Sequence, residues 1–303
     1  MKPKEQAQEE KSLQPKVEAQ PLRVEETHNV IFKPNEGPQT DFLAASEREV
    51  LYGGSAGGGK SYAMLADPLR YMGNPSFSGL LLRHTTEELR ELIYKSQELY
   101  PKIWKGIKWS ERKMQWTAPS GAKLWMSYLD REDDVLRYQG LAFSWIGFDE
   151  LTQWATPFAW NYMRSRLRST DPDLPVFMRA TTNPGGRGHH WVKKMFIDPA
   201  PYNNSFNATD IETGEELKYP SGHEKAGKAL FKRRFIPARL TDNPYLSSSG
   251  DYEAMLLSLP EQQRRQLLDG DWDIKEGAAF TEFDRNIHVV EPYRIPSNWV
   301  KFR

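Results

Sequence analysis

The sequence predicts an α/β fold with a mostly parallel central sheet flanked by helices. Three observations lead there. Apolar runs of strand length alternate with helical stretches. A glycine cluster sits between the first of these runs and a helix. A later apolar run ends in an acidic pair, Asp149-Glu150.

The elements follow in chain order. Residues 1–30 mix Lys, Glu, Gln and Pro without periodicity and offer too little apolar surface to offset the entropy of ordering, so a disordered tail is expected. Pro34, Gly37 and Pro38 turn the chain into a short helix, Thr40 to Ser46. Glu49 to Gly53 reads as a strand, and Tyr62 to Met72 as a helix stopped by Gly73. Gly79 to Arg83 is a second strand, and Glu87 to Tyr100 a helix closed by Pro101. Lys108 to Trp116 and Ala122 to Tyr128 alternate around Ala118-Pro119-Ser120-Gly121, the pattern of one hairpin. Phe143 to Phe148 is a buried strand, Phe158 to Leu167 a helix and Val176 to Ala180 another strand. Residues 200–228 read as an extended loop or hairpin, followed by a strand, Arg233 to Ala238. Asp251 to Asp269 is helical and ends at Gly270-Asp271-Trp272. Residues 274–303 lack periodicity and read as a linker ending on a β-prone stub, Trp299 to Phe302.

Composition narrows the function. The chain has 303 residues, room for roughly two domain-sized units. Its 41 basic residues balance its 41 acidic ones, so it is neither a basic nucleic-acid coat nor an acidic tail protein, and any basic surface must be local. There is no cysteine, which excludes disulfide frameworks and thiolate-zinc sites. No apolar run reaches the roughly 18 residues of a membrane span, and Met1 to Gln20 lack the apolar core of a secretory signal.

The glycine cluster is Gly54-Ser55-Ala56-Gly57-Gly58-Gly59-Lys60-Ser61, the pattern G-x-x-x-x-G-K-[ST]. Glycines let backbone amides curl around a phosphate, and the following helix adds its partial positive charge. Lys60 would reach the β- and γ-phosphates of ATP, and the Ser61 hydroxyl would ligate Mg²⁺. A flexible glycine hinge is the bland alternative, but the strand and helix that the motif requires lie on either side. The strand before Asp149-Glu150 should deliver both carboxylates to the edge of the sheet where ligands bind. Asp149 would hold Mg²⁺, and Glu150 would polarise the attacking water. The alternative for both is a helix cap. Asn183, in Thr181-Thr182-Asn183-Pro184-Gly185-Gly186, would contact the γ-phosphate or its water; the alternative is an ordinary Asn-Pro turn. Gln39 is a candidate for reading adenine through its side-chain amide, against a solvated turn residue.

Together these motifs resemble the large terminase subunit of tailed bacteriophages, the motor that packages DNA. The resemblance runs from Gln39 through GGSAGGGKS, FSWIGFDE, TTNPGG, HHWVKKMFI and Asp242-Asn243-Pro244 to Gly270-Asp271-Trp272, covering about residues 32–303. It implies a P-loop NTPase of the ASCE type with a small lid. The core would occupy residues 31–200, and residues 201–273 would form the lid and complete the core. Residues 274–303 would then lead toward a C-terminal nuclease domain that this chain lacks, and linker residues Glu282 and Asp284 would not be its ligands. It further implies a ring, commonly a pentamer, on the phage portal in the host cytoplasm, with the small terminase subunit and double-stranded DNA as partners; the isolated chain would be a monomer. An arginine finger from a neighbouring subunit is also implied. Arg137 is the first candidate and Arg83 the second, with Arg164, Arg166 and Arg168 behind them. Many members carry an Arg within the glycine loop; here that stretch is Ser55-Ala56-Gly57-Gly58, so the charge must come from elsewhere.

DNA would be gripped through phosphates by local basic clusters: Arg187, Lys193 and Lys194 with His189 and His190, and Lys232, Arg233 and Arg234. A solvated face is the alternative for each. The two histidines lack further spaced ligands, so no metal site is expected there. Two other activities stay open: a helicase-like remodeller, which would separate strands, and a P-loop phosphotransferase, against which the acidic pair counts.

Overall fold

The structure, a computed structural model, describes residues 30–274. The expected tail and linker, with Glu282, Asp284 and the stub at Trp299 to Phe302, lie outside the described residues. Nine strands are present among the described residues: β1 Glu49–Gly54, β2 Ser78–Arg83, β3 Lys108–Ser110, β4 Gln115–Thr117, β5 Lys123–Tyr128, β6 Trp145–Asp149, β7 Phe177–Thr182, β8 Ser205–Asn207 and β9 Lys232–Ala238. They form one sheet in the order β3-β4-β5-β2-β6-β7-β1-β9-β8. The six from β5 to β9 in that order run parallel; β4 and β8 run against them, and β3, antiparallel to β4, forms the outer edge beyond it. Strand β7 lies between β1 and β6, the extra strand that defines the ASCE arrangement. Its register sets Thr181 opposite both Tyr52 of β1 and Asp149 of β6, so the ends of three adjacent strands are level.

Side chains alternate between the two faces of the sheet with the strand period of two. Leu80, Leu82, Ile146, Phe148, Met178 and Ala180 pack with α4 (Phe158–Arg164) and α5 (His189–Val192). Leu81, Leu124, Met126 and Trp145 face the other way, toward α2 (Lys60–Ala66) and α3 (Thr86–Ile103). Phe42 of α1 (Pro38–Ala44) covers Val50, Tyr52 and Ile236. After β9 come α6 (Pro244–Ser247), α7 (Asp251–Leu257) and α8 (Glu261–Arg264), which continues as a wider turn through Asp269. The described residues from Phe32 to Ile274 belong to one compact unit.

Several boundaries differ from the sequence reading. The helix expected over Tyr62 to Met72 ends at Ala66 and tightens into a turn, Asp67–Tyr71, because Pro68 has no N–H to continue the ladder. The helix over residues 251–269 breaks at Pro260 for the same reason. The helix from Thr86 instead runs through Pro101 to Ile103, and the Trp104 amide donates to the Tyr100 carbonyl beyond it. The run Lys108 to Trp116 folds on itself as β3 and β4 around Met114 at φ 47°, so this region holds two hairpin turns.

Candidate active site

The loop between β1 and α2 lies at the carboxyl edge of the sheet, where parallel α/β sheets bind ligands. Gly57 and Gly59 have φ of 77° and 79°, left-handed conformations that glycine adopts without strain. The loop is braced from all sides. The Tyr52 hydroxyl donates to the Gly58 carbonyl at 2.8 Å, the Asn243 amide to the Gly57 carbonyl at 2.7 Å, and the Ser55 N–H to the Ala238 carbonyl at 2.8 Å. The Ala56 N–H donates to the Leu267 carbonyl at 2.7 Å. Among the described residues, the amides of Gly57 through Ser61 donate to no partner. Lys60 is buried and donates to the Ser55 carbonyl at 2.5 Å. Burial lowers its pKa, while the charges of Glu150 and Asp149 pull it back up, so the ammonium and both carboxylates share one electrostatic neighbourhood.

Asp149 ends β6 and is buried. One of its oxygens accepts from the Thr181 hydroxyl, and the other meets Arg83 Nε as an ion pair at 2.7 Å. Arg83, at the end of β2, is only 7% exposed, so it belongs to its own chain's pocket. This corrects the expectation that Arg83 could reach a neighbouring subunit. Burial disfavours its charge, but Asp149, Glu150, Glu88 and Glu91 outweigh that and raise its pKa. Glu150 turns off the strand in the left-handed region, at φ 60° and ψ 55°. Burial and the charge of Asp149 raise its pKa, opposed by Lys60, Arg83 and the backbone N–H of Asn183.

Asn183 follows β7, and its side-chain Oδ1 is buried without a partner, as is the hydroxyl oxygen of Ser55 in the loop. Buried acceptors and donors left unpaired call for an occupant. The turn beyond Asn183 is tied to the acidic pair's exit loop: the Thr152 and Thr182 hydroxyls meet at 2.7 Å, and the Gly188 N–H donates to the Thr152 carbonyl at 2.7 Å. A Cβ at Gly188 would stand 2.1 Å from the Trp154 carbonyl, so only glycine permits this approach. Gln266 donates to the Pro184 carbonyl at 2.6 Å, and Trp272 stacks on His189 with centroids 5.3 Å apart. The segment after α8 therefore touches both the phosphate loop and the Asn183 turn.

The remaining candidates divide. Gln39 is buried, and its amide is bonded to the protein once at each end: Oε1 accepts from the Asn35 N–H at 2.7 Å, and Nε2 donates to the Gly59 carbonyl at 2.9 Å, leaving one lone pair and one N–H. Arg137 is exposed, bonds the carbonyls of Asp134 and Tyr128, and lies beside the Tyr128 and Tyr138 rings. Arg164 is engaged with Glu49, Arg166 lies over Tyr162, and Arg168 reaches the Gly140 carbonyl. Arg187, Lys194 and Lys232 are exposed. Arg233 is not available to DNA: it is 1% exposed and paired with Glu49 at 2.7 Å, because the strand's alternation turns it inward between Lys232 and Arg234. Lys193 is paired with Asp198 and Asp273, and Arg234 with Asn203. Among the described residues no His/Cys/Asp/Glu cluster could hold a metal by itself, and no helix is long and apolar enough to cross a membrane. The sequence reading missed Thr181, Thr152 and Asn243; Thr181 and Asn243 lie inside quoted motifs, while Thr152 carries no signal of its own.

A separate groove of about 640 Å³, lined by residues including Arg48, Arg168, Asp171 and Phe177, opens at the amino edge, the opposite end of β7 from Asn183.

The model of the family described as terminase large subunit, T4likevirus-type, N-terminal, matches residues 51–287. Among solved structures, the large terminase from a thermophilic bacteriophage superposes with a TM-score of 0.57 at 18% identity, covering 87% of this chain and 60% of that one. The complex of that same terminase with ADP gives 0.56 at 18% identity, over 87% of this chain and 60% of that one. Its complex with ATP-γ-S gives 0.55 at 16% identity, over 87% and 59%. The chain thus spans about three fifths of the length of that terminase, and at this identity the likeness speaks to the fold. No curated protein matches the chain.

Proposed function

The chain belongs to the T4-like type of terminase large subunits, and from that premise we propose that it hydrolyses ATP with Mg²⁺ and uses the energy to move double-stranded DNA into a preformed capsid. The observation that carries this reading is the convergence of Lys60, Asp149, Glu150 and Asn183 on one sheet edge, around amides and acceptors that have no partner of their own.

The residues divide the work as follows. The free amides of Gly57 to Ser61 would cradle the phosphates, and Lys60 would leave the Ser55 carbonyl for the β- and γ-phosphates. Asp149 and the Ser61 hydroxyl are hard oxygen donors suited to Mg²⁺, which needs few protein ligands when phosphates supply the rest. When bound, Mg²⁺ neutralises charge on the phosphate oxygens. Glu150 would accept the proton of the attacking water, and Asn183 Oδ1 would orient that water. Residues 201–273 would form the lid and complete the core. Arg137 would act on a neighbouring subunit's site within a portal-bound ring in the host cytoplasm. Exposed Arg187 and Lys194 would meet DNA phosphates, and the small terminase subunit would be a further partner.

The test is Glu150→Gln. ATP binding should persist, while steady-state phosphate release falls by about 10²–10⁴-fold, the usual contribution of a positioned proton acceptor. Unchanged turnover would remove Glu150 from that role.

A further inference from the structure

The loop that carries Glu150 leaves a strand with a neighbour on either side, since β6 lies between β2 and β7. It is tied toward both. On the β7 side the Thr152 and Thr182 hydroxyls meet at 2.7 Å. On the β2 side the tie runs through Gln153, whose Nε2 donates to Glu88 Oε1 at 2.6 Å. Glu88 stands in the first turn of α3, the helix that follows β2, next to Leu89 in the core. The helix start fixes its carboxylate: Oε2 accepts from the Thr85 N–H at 3.3 Å, and the Glu88 N–H donates to the Thr85 hydroxyl oxygen at 3.4 Å. This reciprocal cap leaves Oε1 for Gln153. Gln153 in turn closes the bend at Glu150, its N–H donating to the Glu150 carbonyl at 3.0 Å. Its side-chain oxygen is buried without a partner among the described residues. An apolar side chain would avoid the cost of that unpaired acceptor, so what the amide contributes here is its bond to Glu88.

We propose that Glu88 and Gln153 are positioning residues that set where the Glu150 carboxylate stands. Glu150 has a left-handed φ of 60°, a conformation that its surroundings must enforce. The Thr152 contact secures the loop against β7 alone and leaves it free to pivot away from β2. The bond between Gln153 and Glu88 removes that freedom. Neither residue carries a role in holding the phosphates, so the pair acts on the chemical step and not on nucleotide binding. This inference rests on the role given to Glu150 above.

The experiment is steady-state ATP hydrolysis by the full chain with Mg²⁺ at about pH 8, above the ordinary carboxylate range. Three variants are compared with wild type: Gln153→Ala, Gln153→Glu, and the exchange that combines Gln153→Glu with Glu88→Gln. Gln153→Ala should lower kcat by about 10–10²-fold, the scale of a catalytic group displaced by up to about 1 Å. Its KM for ATP should stay within about twofold of wild type, as expected when only the chemical step is touched. Gln153→Glu sets two carboxylates against each other and should lower kcat at least as far. The exchange rebuilds both bonds in reverse: the amide now at 88 donates to the carboxylate at 153 and still accepts from the Thr85 N–H. It should recover about tenfold in kcat over Gln153→Glu alone. The proposal is overturned if Gln153→Ala keeps the wild-type kcat, if its loss lies in KM, or if the exchange recovers nothing. If Gln153→Ala does not fold by circular dichroism, Gln153→Glu against the exchange decides the matter. If wild type releases no phosphate, or Glu150→Gln releases it as fast as wild type, the role of Glu150 falls, and this inference with it.

Discussion

Glu150 is one of three described non-glycine residues with positive φ, beside Met114 and Asn203. Such a conformation costs on the order of 1–3 kcal/mol and persists where surrounding contacts enforce it. Here the next residues are held by Leu151 in the core and by the Thr152–Thr182 contact, so the carboxylate just past the strand is kept within the field of the Lys60 ammonium. The raised pKa of Glu150 sets a pH dependence. Only the ionised carboxylate can accept a proton from water, so turnover should fall as pH drops through a value above the ordinary 4.5 of a glutamate. Arg83 opposes the rise, and its removal should move this acid limb further up. A pH profile of kcat for Arg83→Gln should therefore show the limb displaced to higher pH than in wild type, with a lower plateau because Asp149 has lost its cation. A limb that stays in place or moves down would mean that Arg83 does not act on Glu150.

Strand β1, helix α4 and strand β9 are joined by one buried acid. Glu49 is fully buried and pairs with Arg233 at 2.7 Å and with Arg164. Burial alone would raise its pKa, but the two arginines win and hold it below 4.5. Glu49→Gln should cost about 3–5 kcal/mol, because it strands buried guanidinium charge. The folded-state pKa is depressed, so the stabilisation is present above 4.5 and lost as pH falls through the folded value. Urea midpoints should show a large gap between wild type and variant at pH 7 that narrows in acid; a gap independent of pH would mean that Glu49 carries no charge-pair energy. This network shows where the sequence was readable and where it was not. The phosphate loop, Asp149-Glu150 and Asn183 were legible because each role needs consecutive residues of fixed type after a strand. The inward turn of Arg233 could have been read from the alternation of Lys232 to Ala238, and the break at Pro260 from its missing N–H. Arg83 had no such signal, since its meeting with Asp149 depends on β2 lying beside β6, which is a property of the sheet order and not of any local pattern. The brace on Gln39 was hidden for the same reason: Gly59 lies 20 residues away.

Across the whole molecule, the sheet order decides which groups can meet within one chain. Arg137 sits just past β5, four strands from β1, and neighbouring strands are about 4.8 Å apart, so it stands roughly 19 Å to the side of the loop it would serve. The basic clusters are separated as well. Arg187 follows the end of β7, whereas Lys232 opens β9, so about 20 Å of strand lies between the two levels and they cannot act as one grip on the same phosphates. Of the two clusters, the one with Arg187 and Lys194 follows directly on the Asn183 turn, which would suit it to contacts that change with hydrolysis. An arginine too distant for its own site, exposed, and oriented by Tyr128 and Asp134 is instead suited to the site of an adjacent copy. That placement makes a mixing prediction. Arg137→Ala alone and Glu150→Gln alone should each be nearly inactive. In assemblies of the two, confirmed by sedimentation, a Glu150→Gln subunit would lend its arginine to an Arg137→Ala subunit whose own Glu150 is intact. ATPase activity of the mixture should then exceed the sum of the separate variants. Co-assembly without any such gain would place the transition-state arginine elsewhere, and Arg83, already against Asp149 in the same chain, would be the group to test next.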